Sequence, residues 1–145
     1  MNIKQILCPV DFSDFNQAAN EYASVLAQAS GATITYLHVS LPDVTYGAYG
    51  YIDIEAERAR DEKRLEEIRP TIEGVESTYA IGFGTPATAI VEYAEENNID
   101  LIVIGTHGRT GLRRVVMGSV AEAVVRKAQC PVLAIKSDSS VAQTN

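Results

Sequence analysis

Five short apolar runs, each too brief for a helix, constrain this chain more than any other feature. They are Ile3 to Val10, Thr33 to Val39, Val75 to Ile81, Leu101 to Ile104 and Pro131 to Ile135. Apolar runs of this length, rich in Val and Ile, mark strands covered on both faces. Helical patterns lie between them. Ser13 is placed to cap a helix running to about Ala29, with Ala18, Ala19, Tyr22, Ala23 and Leu26 on one face and Gly31 as its stop. Asp53 to Arg69 is a densely charged helix ended by Pro70. Its mixed signs read as a solvated face laced with i,i+4 ion pairs. Thr85-Pro86 opens a third helix to about Asn97, with Ala89, Ile90, Tyr93 and Ala94 inward. A fourth carries Val120, Ala123, Val124 and Ala128. Strictly alternating strands and helices predict an open parallel sheet with helices on both faces. A length of 145 residues suits one domain. We place it at residues 1–137, with 138–145 as a polar, disordered tail. Leu41 to Ile52 reads as a loop holding three tyrosines and two glycines.

The totals exclude several functions. A net charge of -7 with no offsetting basic stripe argues against nucleic-acid binding. No apolar run approaches the roughly 20 residues that span a bilayer. The start, Met-Asn-Ile-Lys-Gln-Ile-Leu, lacks a signal-peptide layout, so a cytoplasmic address is expected. Cys8 and Cys130 both read as buried small hydrophobes.

Ligands of such sheets bind beyond the carboxyl ends of the strands. The loops to inspect are therefore Asp11 to Ser13, Ser40 onward, Gly82 to Thr85 and Gly105 to Gly118. In the last of these, Gly105-Thr-His-Gly108-Arg is followed, with nine residues between Gly108 and Gly118, by Gly118-Ser119 at the start of a helix. A strand, a glycine-rich loop and a helix N-terminus make a cradle for phosphate, because glycine admits the anion and free N–H groups meet it. No Walker A sequence is present. Arg109, Arg113 and Arg114 either face solvent from this loop or funnel phosphate into it. His107 shapes the loop or touches phosphate, whereas His38, inside a strand, reads as a satisfied core histidine. Asp11 either caps the following helix or holds a ribose hydroxyl or a phosphate-bound metal. Gly82-Phe-Gly84-Thr-Pro-Ala87 imitates a dinucleotide fingerprint. It lies in the third βα unit with no acidic residue after the next strand, and reads as a tight turn.

Taken together, these pieces resemble the universal stress protein family over Asn2 to Lys136. The carrying residues are Ile6-Leu7-Cys8-Pro9-Val10-Asp11-Phe12-Ser13, Leu37-His38-Val39, Gly82-Phe-Gly84-Thr-Pro86 and Asp100-Leu-Ile-Val-Ile-Gly105. Gly105-x2-Gly108-x9-Gly118-Ser119 and Cys130-Pro-Val-Leu complete them. The resemblance implies a Rossmann-like five-stranded sheet in the order 3-2-1-4-5, and an ATP site in members that keep the glycine motif. On that likeness Pro9, Val10 and Asp11 border ribose and adenine, and Val39 meets adenine through its backbone. Gly105, His107, Gly108, Arg109, Gly118, Ser119 and Val120 hold ribose and phosphates. ATP, ADP or AMP is the expected ligand, with Mg held between the phosphates and Asp11. Ala121 departs from members that carry a hydroxyl residue there. The expected role is a nucleotide-binding regulatory module, homodimeric through its last strand and passing its state to a protein partner. The alternatives are a slow ATP-cleaving enzyme, or a stress protein acting through protein contacts alone.

Overall fold

The computed structural model describes residues 2–12, 16–40, 54–106 and 117–136. Five strands, β1 (Gln5–Pro9), β2 (Thr33–Ser40), β3 (Ser77–Phe83), β4 (Leu101–Gly105) and β5 (Val132–Ile135), form one all-parallel sheet in the order β3-β2-β1-β4-β5. The expected architecture and strand order are thus present as a single Rossmann-like α/β domain. Helices α1 (Asn16–Ser30), α2 (Ile54–Glu66), α3 (Pro86–Glu96) and α4 (Ser119–Lys127) connect the strands. Among the described residues, no helix is long and apolar enough to cross a membrane.

Strand alternation splits the core in two. On one face Ile6, Cys8, Ile34, Tyr36 and Val103 pack with Ala19, Ala23 and Ala27 of α1 and with Leu65 of α2. On the other, Leu7, Leu37, Ile102 and Ile104 pack with Ala87, Ile90 and Ala94 of α3 and with Ala121 and Val124 of α4. The central strands are buried on both sides, so their apolar runs are continuous. The Asp100 carboxylate accepts the Lys4 and Gln5 N–H groups, both at 2.9 Å, and fastens the start of β1 to β4.

Several expectations need correction. Tyr22, expected inward, is 54% exposed, and Ser24 is buried in its stead. Alanines let α1 lie close to the sheet, and the buried stripe runs through 19, 23 and 27, which leaves Tyr22 outside it. Cys130 is only half-buried, because it lies in the connection ahead of β5. β3 starts later and runs further than expected, taking in Gly82 and Phe83. The turn falls at Gly84, with φ 104 and its N–H on the Ser40 carbonyl. The expected Ser13 cap, the Leu41 to Ile52 loop and the tail lie outside the described residues.

A polar seam under β2 fixes the segment that follows α2. The Tyr36 hydroxyl donates to Asn20 Oδ1 at 2.6 Å, and Asn20 Nδ2 donates to the Arg69 carbonyl at 2.8 Å. The Thr71 N–H donates to Ser24 Oγ at 3.0 Å. Asn20→Ala leaves the Tyr36 hydroxyl and the Arg69 carbonyl without this partner. It should cost about 2 kcal/mol in urea unfolding, the usual penalty for orphaning a buried hydroxyl such as that of Tyr36, while water can serve the exposed Arg69 carbonyl.

Burial also governs the thiol of β1. Cys8 is fully enclosed, and desolvation pushes its pKa up to about 12. The unfolded chain ionises this thiol near pH 9 while the native chain keeps it protonated. Its contribution is therefore complete below pH 9 and is lost as pH rises towards 12. Urea unfolding at pH 8 and pH 10.5 should show the parent losing about 2 kcal/mol more than Cys8→Ala, at about 1.4 kcal/mol per pH unit.

Candidate functional site

β1 lies between β2, reached through α1, and β4, reached through α3 on the opposite face. The strand order reverses there, and connections leave the sheet in opposite directions. A crevice opens at the carboxyl ends of the strands. A cavity of about 720 Å³ occupies it. Pro9, Val10 and Asp11 enter from the end of β1, Val39 from β2, Gly105 from β4, and Gly118, Ser119 and Val120 from the start of α4. The structure brings these expected site residues to one cavity. His107, Gly108 and Arg109 lie outside the described residues, as do Arg113 and Arg114.

The ends of the glycine loop meet. The Gly118 N–H donates to the Thr106 carbonyl at 2.6 Å, and the Thr106 N–H donates to the Ile135 carbonyl at 3.0 Å. The loop therefore leaves and returns at one point, anchored to the sheet edge. Gly118 caps α4 with extended backbone, and no side chain caps the helix. The first-turn N–H groups of α4 have no intrahelical acceptors, so this end of the cavity carries partial positive charge. That arrangement fits an anion.

The opposite wall holds groups that sequence reasoning missed. Glu57, Arg60, Asp61 and Arg64 line the cavity from one stripe of α2. Positions i, i+3, i+4 and i+7 share a helix face, so the spacing was visible in the sequence, though nothing there said what the face met. The solvated-face reading holds for Arg58 and Glu62, an exposed i,i+4 pair at 3.5 Å. It holds for Glu57, Arg60 and Arg64 as well, which are exposed at the cavity mouth, and gives way at Asp61, which is half-buried. Asp61 Oδ2 accepts from Ser40 Oγ at 3.0 Å and sits 3.6 Å from His38 Nε2. His38 Nδ1 bonds the Val10 carbonyl at 2.9 Å. His38 is buried, as expected, and it also lines the cavity.

Phe12 packs against two residues of this wall. Its ring lies 4.3 Å from the imidazole, and the Arg64 guanidinium sits 3.9 Å above the ring. Its φ of 62 places a bulky residue in the left-handed region, at a cost of roughly 1–3 kcal/mol. Its contacts with His38 and Arg64 offset that strain. The turn behind it closes through the Asp11 N–H, which donates to Asn16 Oδ1 at 3.0 Å. Among the described residues, no three His, Cys, Asp or Glu side chains gather to hold a metal ion.

The pattern of the universal stress protein family matches residues 2–136. Universal stress protein MJ0531 of Methanocaldococcus jannaschii is 37% identical over 139 residues, covering 92% of this chain and 82% of that one. The solved structure of MJ0577, from the same organism, has a TM-score of 0.77 at 29% identity, covering 94% of this chain and 97% of that one. A universal stress protein from Archaeoglobus fulgidus in complex with dAMP has a TM-score of 0.61 at 25% identity, covering 94% of this chain and 100% of that one. The chain belongs to the universal stress protein family.

Proposed function

We propose that this universal stress protein binds one adenine nucleotide per subunit and serves as a nucleotide-responsive regulatory module. The carrying observation is the cavity at the strand-order reversal. It has an uncapped helix N-terminus and Gly118 at one end, and the backbone of Val39 with Asp11 at the other. Gly105, Gly118, Ser119 and Val120 are assigned to the phosphates and ribose, together with His107, Gly108 and Arg109 of the glycine loop. Pro9, Val10 and Asp11 flank ribose and adenine. With Mg on the phosphates, Asp11 supplies the carboxylate oxygen that this hard cation prefers. The relative solved with dAMP shares the fold, which supports the nucleotide class. ATP is the preferred form on the glycine spacing of the sequence, Gly105-x2-Gly108-x9-Gly118-Ser119, which the resemblance ties to ATP-binding members. The module acts in the cytoplasm and passes its state to a protein partner.

Gly118 has φ -63, open to any L residue, so a side chain there leaves the backbone intact. Gly118→Val should weaken ATP binding at least about tenfold in calorimetric titration, by crowding the anion at the helix N-terminus. Equal affinity in the variant and the parent overturns the assignment. ADP and AMP titrated alongside rank the phosphates.

The second element of the proposal is a homodimer through β5, an edge of the sheet. The Ile102 and Thr106 N–H groups bond the Pro131 and Ile135 carbonyls, so the odd residues of β5 face β4. Val132 and Ala134 therefore direct their N–H and C=O groups outward, where a second copy can pair antiparallel across a two-fold axis. Val132→Pro removes an outward N–H and leaves the β4 ladder whole. Light scattering should give the parent twice the 15.7 kDa chain mass and the variant one chain mass. A monomeric parent refutes the dimer.

A further inference from the structure

β2 outruns its central neighbour. The last β1–β2 pair is Pro9 with Leu37, and the rung beyond it is the Val10 N–H on the Leu37 carbonyl at 2.8 Å. β2 continues to Ser40. In a parallel ladder the next rung would carry the Val39 N–H to the Val10 carbonyl. Here that carbonyl bonds His38 Nδ1 instead, and the chain turns away at Phe12. The side that Val39 faces follows from alternation. Hydrogen bonds at Thr33 and Leu37 go to β1, whereas those at Ile34 and Ser40 go to the β3 side. Both backbone groups of Val39 thus face the β1 side, beyond its last rung, at the cavity wall.

The imidazole that takes the Val10 carbonyl is held firmly. A carbonyl only accepts, so Nδ1 carries the proton. Phe12 packs on the ring, and the Asp61 carboxylate, fixed by Ser40, lies 3.6 Å from Nε2. Neither the ring nor the carbonyl can swing away without breaking this set.

We propose that His38 is a positioning residue of the ligand site. Its bond holds the Val10 carbonyl at the imidazole, out of the ladder that would reach the Val39 amide, and so leaves the Val39 N–H and C=O as a donor–acceptor pair for the edge of the bound base. The inference rests on the adenine-nucleotide reading above. Adenine offers an acceptor, N1, beside a donor, the 6-amino group, and matches the pair. Hypoxanthine offers a donor, N1–H, beside an acceptor, O6, and opposes it. A site built to satisfy one pattern rejects the other, because the mismatch leaves polar groups unpaired.

Two measurements test this. Amide hydrogen exchange on the ligand-free parent should show the Val39 N–H exchanging at least about 100-fold faster than the Leu37 N–H, as fits a group outside the ladder. Equal protection overturns the proposal, and this arm needs no variant. Titration with AMP and with inosine monophosphate is the second. The parent should prefer AMP, His38→Leu should lower that preference about tenfold, and His38→Asn, which keeps a side-chain donor for the Val10 carbonyl, should restore it. An undiminished preference in His38→Leu overturns the positioning role while the nucleotide reading stands. A parent that binds neither nucleotide overturns both. A well-protected Val39 amide beside normal AMP binding sinks this inference alone.

Discussion

The central position of β1 is the constraint on which the site depends. Where the connections on the two sides of a parallel strand leave on opposite faces, a crevice opens at its carboxyl end. Here β1 ends at Pro9 and its chain leaves through a left-handed Phe12. The crevice between β1 and β4 follows from the order of the strands and requires no loop to build it. The two faces of β1 are filled by different helix pairs, so the strand cannot shift towards either one without disturbing a packed core. The cavity floor is therefore rigid, while its polar walls come from helix ends and from α2.

α2 joins that floor to the surface. Leu65 anchors it in the core, and the Asn20 seam holds the chain after it. Ahead of Leu65, Asp61 reaches Ser40 and His38, and Arg64 reaches Phe12. The helix is poor in apolar residues, with few buried contacts to hold it. Its placement over the cavity thus relies on charged and polar contacts to residues that themselves line the cavity. A ligand that altered Val10 or Val39 would act directly on those contacts, and a change in α2 would act back on the ligand by the same free energy.

The strands were legible because a two-sided parallel sheet writes itself as continuous Val, Ile and Leu. Leu101 to Ile104 and Ile6 to Cys8 show this, and the strand order came from the family resemblance. The glycine spacing marked Gly105 and Gly118 because an anion cradle needs small residues at fixed distances. Other features were less legible. The stripe Glu57, Arg60, Asp61 and Arg64 has the period of a facing surface, but its partner is a cavity rather than a core, and charge alone reads as solvent. Tyr22 misled because an aromatic on an alanine-rich helix looks like core, whereas the alanines themselves make the close contact. His38 was recognised as buried and satisfied. Its bond to the Val10 carbonyl depends on where β1 ends, and no local pattern records that.

The charge distribution raises a last question of balance. The chain carries a net -7, yet the proposed ligand is an anion. Long-range repulsion of this kind slows encounter and is screened beyond about 10 Å at moderate salt. It does not decide affinity, which is set by groups within the cavity. There the α4 N-terminus offers fixed N–H groups, and Arg60 and Arg64 offset Glu57 and Asp61 across from it. A neutral wall facing a positive helix end suits a ligand with a flat, uncharged base and a charged tail. The end of β2 stands on the side of the base, and the glycines stand on the side of the tail. Adenine nucleotides have that polarity, and free phosphate or a free base would leave half of the cavity unmatched.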